Sequence, residues 1–351
     1  MSIEIRLLEG SPHEMGGRHG EMLAEGARAM CETRIELCLR ASEGRLSRSD
    51  LLALAGESLP IFTDFAPETY AEFCGIAEGA GVSREELLIG NGYTDFVDLV
   101  KRRASAVSEC TAFAIAPVAS RDGRSLLGQT WDMSASAYPY VVALRRMPRS
   151  GPASVTMTTT GCLSLVGINE HGIAVGNTNL VPADARNGVM YLATIHEALA
   201  QRTFEDAVRV VTDAPRMSGH YFYVGGPHGE IAGIETTATR SSQLVPDESG
   251  LLAHANHYVT DLQSHASGPP GDNSLQREAR MWELLRAEAA GHDLTTLTQA
   301  LSDHETPICR HERPDEEIRT CSAAIMRPAD RRLWMVKGNP CEEEFVEVAL
   351  T

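Results

Sequence analysis

No run of apolar residues in this chain reaches the roughly 18 needed to cross a bilayer, so a conventional membrane-spanning helix is excluded. Positive charge is scarce, with 31 Lys and Arg against 48 Asp and Glu and a net charge of −17. Nucleic acid and anionic membrane both demand a basic footprint, so neither is an expected partner. The N-terminus lacks a basic stretch followed by an apolar one, and no signal peptide is expected. There is no CxxC pair, no HExxH, no Walker loop and no GxGxxG behind a strand pattern, which removes the usual sequence grounds for zinc, ATP or a dinucleotide. Cys31, Cys38, Cys74, Cys110, Cys162, Cys309, Cys321 and Cys341 are scattered through the chain, a spacing that suits reduced thiols in a cytoplasm better than a disulfide framework. Cys309-Arg310-His311 offers only two potential ligands at close spacing. The expectation is therefore a cytoplasmic protein with no cofactor and no metal.

The 351 residues suffice for one large domain or two ordinary ones. Residues 1–109 read as mostly helical, after a strand-like start. Apolar and small residues recur at helical spacing over 12–40, and further helices are expected over 49–59, 67–80 and 83–91, where Ser83 and Glu86 have capping-box spacing. A basic cluster, Lys101-Arg102-Arg103, leads into a polar link over 104–109. At Cys110 the pattern turns from helical to stranded. Alternation places Thr111, Phe113 and Ile115 on one face of a strand and Cys110, Ala112 and Ala114 on the other. A second strand follows and runs through Trp131 to Asp132. More strands are expected over 139–146, 153–160, 162–168, 172–178, 220–225, 229–237 and 251–255. Helices are expected over 189–200, 203–212, 274–290 and 293–301, and a last hairpin over 319–326 and 331–337. Antiparallel strands with helices in blocks describe an α+β layered fold.

A cysteine that attacks a carbonyl needs a proton acceptor and a donor for the oxyanion. None of the twelve histidines is marked by the sequence as its partner. If the Glu109–Cys110 bond is broken, however, Cys110 becomes a chain terminus. Its free α-amine, with an ordinary pKa of about 7.7, can then take the thiol proton.

Cys110-Thr111, Gly128-Gln129-Thr130-Trp131-Asp132, Gly167-Ile168-Asn169-Glu170-His171-Gly172-Ile173-Ala174 and His254-Ala255-Asn256-His257 follow one another in an order that resembles the penicillin acyltransferase-like (peptidase C45) family of N-terminal-nucleophile hydrolases. A more distant resemblance extends to bile-salt hydrolases and acid ceramidase. The resemblance covers almost the whole chain and implies a four-layer αββα sandwich with a helical leader, made as a precursor. It implies Cys110 as nucleophile, Asp132 as the carboxylate that orients the new amine, and Asn256 as an oxyanion donor. A further amide is expected from Asn179, with Asn177 the alternative. Arg277 or Arg280 is expected to supply a positive partner for Asp132 or a substrate carbonyl, and residues three apart on a helix share a face, so the sequence does not separate them. Thr111 and Trp131 are further candidates for the site. Two positions depart from the pattern: Glu109 stands where the family has a glycine before the nucleophile, and Gln129 stands where bile-salt hydrolases have an arginine.

The implied division is a 1–109 α-chain and a 110–351 β-chain, separated by autocleavage between Glu109 and Cys110. The implied reaction is hydrolysis of a small amide or short peptide through a thioester, with N-acyl transfer to an amine acceptor as the alternative and a non-catalytic binding scaffold as a third reading. Homo-oligomerisation is left open.

Overall fold

The computed structural model describes residues 3–101, 109–313 and 317–350. The first part of the chain is β1 (Ile5–Gly10), α1 (Pro12–Met22), α2 (Ala24–Ala41), α3 (Arg48–Phe65), α4 (Pro67–Ala80), α5 (Arg84–Asn91) and α6 (Tyr93–Val100). The expected helix over 12–40 is thus two helices, broken at Leu23, where the backbone leaves the helical region (φ −122°, ψ 24°). The break lets two surfaces face two partners. Helix α1 lies against α4 through Gly16 and Gly20 on one side and Gly75 and Gly79 on the other, so closely that a Cβ at Gly16 would strike the Glu72 carbonyl. Helix α2 packs instead on α5 and α6. Ser47 and Ser83 close capping boxes at the starts of α3 and α5. The helix expected over 83–91 matches α5, whereas α6 had no counterpart among the sequence expectations. Residues 104–108 of the expected link lie outside the described residues.

The second part runs β2 (Ala112–Ile115), β3 (Leu126–Ser134), β4 (Val141–Pro148), β5 (Ser154–Thr159), β6 (Val166–Asn169), β7 (Ala174–Leu180), α7 (Tyr191–Leu199), α8 (Phe204–Asp213), β8 (Gly219–Gly225), β9 (Ile231–Thr236), β10 (Ser241–Leu244), β11 (Leu251–His254), α9 (Asp272–Ala287), α10 (Leu294–Leu301), β12 (Ile318–Arg327), β13 (Arg332–Lys337) and β14 (Val346–Val348). The strands form two sheets, one ordered β1-β4-β5-β6-β7-β8-β9-β10 and the other β11-β2-β3-β12-β13-β14. Of the strands, β10 and β14 had no counterpart among the sequence expectations; they are short edge strands with exposed residues.

The alternation in β2 decides the layering. Its small residues Ala112 and Ala114 join the main core between the two sheets, together with Leu127, Ala324 and Met326. Its large residues Phe113 and Ile115 face the other way, onto Met281 and Leu285 of α9 and Leu297 and Leu301 of α10. Small side chains let the sheets approach and put the thiol face of β2 in the interior. Helices α1, α7 and α8 pack on strands of the first sheet and α9 and α10 on strands of the second, so the order of layers is helix, sheet, sheet, helix, which is the αββα sandwich expected.

The N-terminal part has no core of its own among the described residues. Ile35, Phe62, Phe73 and Phe96 belong to the same apolar cluster as Val155, Ile168 and Tyr223. In addition, β1 pairs in parallel with β4, from Ile5 opposite Ala143 to Gly10 opposite Pro148. The expected 109/110 boundary therefore falls within one shared core.

Candidate active site

Register builds the site around Cys110. Strand β2 pairs with β3 so that Ala112 faces Gln129, and the pairing continues past the strand end, where Glu109 and Asp132 form an antiparallel bridge. Glu109 N donates to the Asp132 carbonyl at 3.0 Å and Asp132 N donates to the Glu109 carbonyl at 2.8 Å. The carbonyl on the N-terminal side of Cys110 is therefore held and polarised by a backbone N–H. The Cys110 N–H donates to Asn256 Oδ1 at 2.8 Å. The Cys110 carbonyl accepts from Arg277 Nη1 at 2.5 Å. The junction is clamped on both sides.

Arg277 and Arg280 separate cleanly. Arg277 is fully buried, and its guanidinium also donates to Thr111 Oγ1 at 2.9 Å, to Asn256 Oδ1 at 2.8 Å and to Asn273 Oδ1 at 2.6 Å. Arg280 instead pairs with Asp303 at 2.8 Å and Glu305 at 2.7 Å, away from the junction. Three residues turn a helix by about 300° and advance it about 4.5 Å, enough to carry Arg280 off the buried stripe of Ser274, Arg277, Met281 and Leu285. Glu109, in place of the family's glycine, fits because cations meet its carboxylate: Arg310 contacts it directly and Arg277 lies 3.6 Å away.

Asp132 is buried. Its Oδ1 accepts from Thr320 Oγ1 at 2.7 Å, while Oδ2 has no hydrogen-bond partner among the described residues. Burial pushes its carboxyl up to about 7, against the pull of Arg277. Burial, and next the Asp132 carboxylate, push the Cys110 thiol well above its usual range. Burial thus favours the neutral thiol.

The sign of the Asp132 shift gives a stability prediction. Its folded value of about 7 lies above the ordinary 3.8, so over that interval the folded chain keeps a proton that the unfolded chain has lost. The contribution is complete below the lower value, declines as pH rises and is gone above the upper one. Uncut Cys110→Ala protein should therefore lose melting temperature across this range relative to Cys110→Ala/Asp132→Asn, which lacks the group; parallel melting curves for the two would contradict the burial assigned to Asp132.

The cavity at the Cys110 side chain is about 10 Å³, room for about one water. Trp131, Asn177, Asn179 and His220 line it with Thr94 and Tyr191. Asn177 and Asn179 lie two apart on β7 and so share a face, but their amides differ in use. Asn177 Nδ2 lies 3.2 Å from His220 Nδ1, and the His220 Nε2 is 2.7 Å from Asp95 Oδ1. The Asn179 side chain makes no hydrogen bond among the described residues, and its Oδ1 is buried without a partner. Asn256, the amide that the resemblance offered as oxyanion donor, has its Nδ2 engaged by the Asn179 carbonyl at 3.0 Å, leaving its Oδ1 as the acceptor for the Cys110 N–H. Gln129 braces this wall by accepting from Asn177 N and Tyr223 Oη, both at 2.9 Å.

The histidines named by the sequence serve structure. His254 is bonded to Glu235 at 2.9 Å and stacked on Tyr221. His257 lies 2.8 Å from Ser274 Oγ and 3.2 Å from Glu278, and burial lowers it to about 4. His220, the histidine that does line the cavity, has both ring nitrogens occupied. Thr94, Asp95 and Tyr191 escaped the sequence reading because α6, α7 and β8, which bring them to His220, meet only in the fold. Beyond Asn256 a larger cleft of about 710 Å³ opens between Val181, Tyr258 and the glycine- and proline-rich loop at Gly268–Gly271.

The family described as acyl-coenzyme A:6-aminopenicillanic acid acyl-transferase matches residues 118–342. The chain belongs to that family. Its match begins beyond Cys110 and takes in Asp132, Asn179, Asn256 and Arg277. Membership in the acyl-transferase family supports an enzyme of the cysteine-nucleophile hydrolase or acyltransferase class. A curated relative from Emericella nidulans, the acyl-coenzyme A:6-aminopenicillanic-acid-acyltransferase 40 kDa form, is 24% identical over 308 residues, 86% of this chain and 83% of its own. An uncharacterized protein of Archaeoglobus fulgidus is 24% identical over 376 residues, and the match spans 94% of this chain but 63% of that protein. Among solved structures, a variant of conjugated bile acid hydrolase from Clostridium perfringens is similar at 14% identity with a TM-score of 0.49, over 69% of this chain and 98% of that one. Within the described residues no helix is long and apolar enough to cross a membrane.

Proposed function

We propose that this protein is an autoprocessing cysteine amidohydrolase that cleaves a linear amide through a thioester on Cys110. The observation that carries the reading is the surroundings of the Cys110 nitrogen: Asn256 Oδ1 accepts its one proton, and the neighbouring Asp132 keeps a buried oxygen with no partner among the described residues. A backbone amide cannot use that oxygen. The ammonium or amine released by cleavage can, since it carries more protons to donate.

Self-cleavage draws on the groups that surround the Glu109–Cys110 junction. Asp132, with a carboxyl near 7, takes the thiol proton, and Sγ attacks the Glu109 carbonyl, which Asp132 N–H polarises. The C–N bond breaks as the nitrogen takes a proton, leaving an ester of sulfur that water hydrolyses. The segment that ends in Glu109 then carries a free carboxylate, which Arg310 and Arg277 can hold.

Turnover follows the same atoms. The Cys110 amine, held by Asn256 and Asp132, draws off the thiol proton; the thiolate attacks the substrate carbonyl; Asn179 Nδ2 donates to the oxyanion; and the ammonium returns its proton to the leaving nitrogen. Water then releases the acid. An amine in place of water makes the site an N-acyltransferase, a second reading favoured by the name of the Emericella relative and by the cleft beside Asn256, which has space for an acceptor.

Mass spectrometry of freshly purified protein tests the proposal. Fragments ending at Glu109 and beginning at Cys110 are expected, still associated under native conditions because they share one core. Amide turnover should accompany them, and added amine should divert product from acid to amide if transfer dominates. Full activity in a chain that stays intact would overturn the amine mechanism.

A further inference from the structure

We propose that His304, Cys309, His311 and Cys341 form a binding site for one Zn²⁺ ion. One ligand atom from each lies within 4.8 Å of all the others. The Nε2 atoms of His304 and His311 are 3.0 Å apart and the sulfurs of Cys309 and Cys341 are 3.5 Å apart. His311 Nε2 lies 3.3 Å from Cys341 Sγ and 4.0 Å from Cys309 Sγ. A tetrahedral zinc ion with bonds of about 2.3 Å to sulfur and about 2.1 Å to nitrogen has edges of about 3.8 Å between sulfurs, about 3.4 Å between nitrogens and about 3.6 Å between the two types. Four of the six edges lie within about half an ångström of those lengths, and the two from His304 to the sulfurs are no longer than 4.8 Å. Two thiolates and two imidazoles suit zinc over harder cations, and their charge neutralises it.

Groups behind the ligands point the same way. The other ring nitrogen of His311 faces Glu342 Oε1 at 3.6 Å, and Asn339 Nδ2 donates to Cys309 Sγ at 3.5 Å. Carboxylates and amides in these positions orient ligands and tune their basicity. Chain geometry delivers the fourth ligand: after β13, Gly338 adopts φ +100° and turns the chain so that Cys341 returns over the loop that carries the other three.

With four protein ligands the site has no open position, so its role is structural. What it pins is Arg310, between two of the ligands. Arg310 N donates to Thr320 Oγ1 at 2.8 Å, the hydroxyl that donates in turn to Asp132, and its guanidinium meets the Glu109 carboxylate. The ion braces both sides of the Glu109–Asp132 bridge from outside the cavity.

Elemental analysis of protein purified without chelator should find one zinc per chain. Metal-stripped, reduced protein should take up one Co²⁺, with the visible bands of a tetrahedral ion and a thiolate-to-cobalt charge-transfer band. Cys341→Ser should lose about half of that charge-transfer intensity, and His304→Ala should weaken zinc binding about tenfold or more. Both positions are exposed, so these variants should keep the wild-type circular dichroism. Uncut Cys110→Ala protein should bind zinc as wild type does, which separates this site from the processing reaction. Folded, reduced wild type that takes up neither Zn²⁺ nor Co²⁺ would overturn the proposal, as would a Cys309–Cys341 disulfide in metal-free protein whose thiols were blocked at lysis.

Discussion

Cys110→Ala protein is expected to fold, to remain one chain of 351 residues and to lose amide turnover by a factor on the order of 10⁴ to 10⁶. The substitution removes one sulfur from an interior position and leaves every backbone contact of the junction in place: Asn256 on the nitrogen, Arg277 on the carbonyl and Asp132 on the preceding carbonyl. Loss of function with the fold intact is therefore the expected pattern. Intact mass, a melting curve and an amidase assay on one preparation check the three parts together. Turnover near wild type, or a chain still cut after residue 109, would remove Cys110 from the chemistry. None of the remaining cysteines lines the cavity at Cys110, so alanine at Cys31 or Cys321 should cost stability through lost packing and leave the chemical step nearly unchanged.

Asn179→Ala should separate the two reactions of the site. In self-cleavage the carbonyl under attack belongs to Glu109 and already receives Asp132 N–H at 2.8 Å. The variant should therefore still cut itself. In the proposed turnover the oxyanion depends on the Asn179 amide, and removal of one such donor costs about 10²–10³-fold in kcat, with KM little changed because the donor acts in the transition state. Asn256→Ala should show the reverse emphasis, with slowed processing, because it strips an acceptor from the Cys110 nitrogen and from Arg277. Fragment yield by mass spectrometry and steady-state kinetics on the cut fraction read the two effects. If Asn179→Ala turned over like wild type, the donor would have to be sought elsewhere on the cavity wall.

Much of this protein was legible in local pattern. The change from helical to alternating periodicity at Cys110, the small residues on the thiol face of β2 and the Trp131-Asp132 end of β3 lie within some two dozen residues of chain, and each is a property of neighbours. Period-two alternation assigns faces wherever a strand has one small and one large side, so the sequence by itself determined that Cys110 shares a face with Ala112 and Ala114 and that a layered α+β fold surrounds it. The motif order extended this to the family.

What alternation and helical spacing leave open is which partner each face meets. Arg277 and Arg280 share a helical face in the sequence, and only the position of the Cys110 carbonyl relative to α9 buries one and leaves the other with Asp303. Asn177 and Asn179 share a strand face, and only the arrival of His220 from β8 ties up one amide, while the other has no partner among the described residues. The parallel pairing of β1 with β4 joins residues more than 130 apart and leaves no local trace. The four side chains of the proposed zinc site come from a loop after α10 and from the turn after β13, and a short Cys-x-His carries no hint of the other two ligands. Local backbone preferences were fixed by sequence, whereas the choice among chemically equal side chains was fixed by packing, because a contact between distant segments exists only once the layers between them are in place.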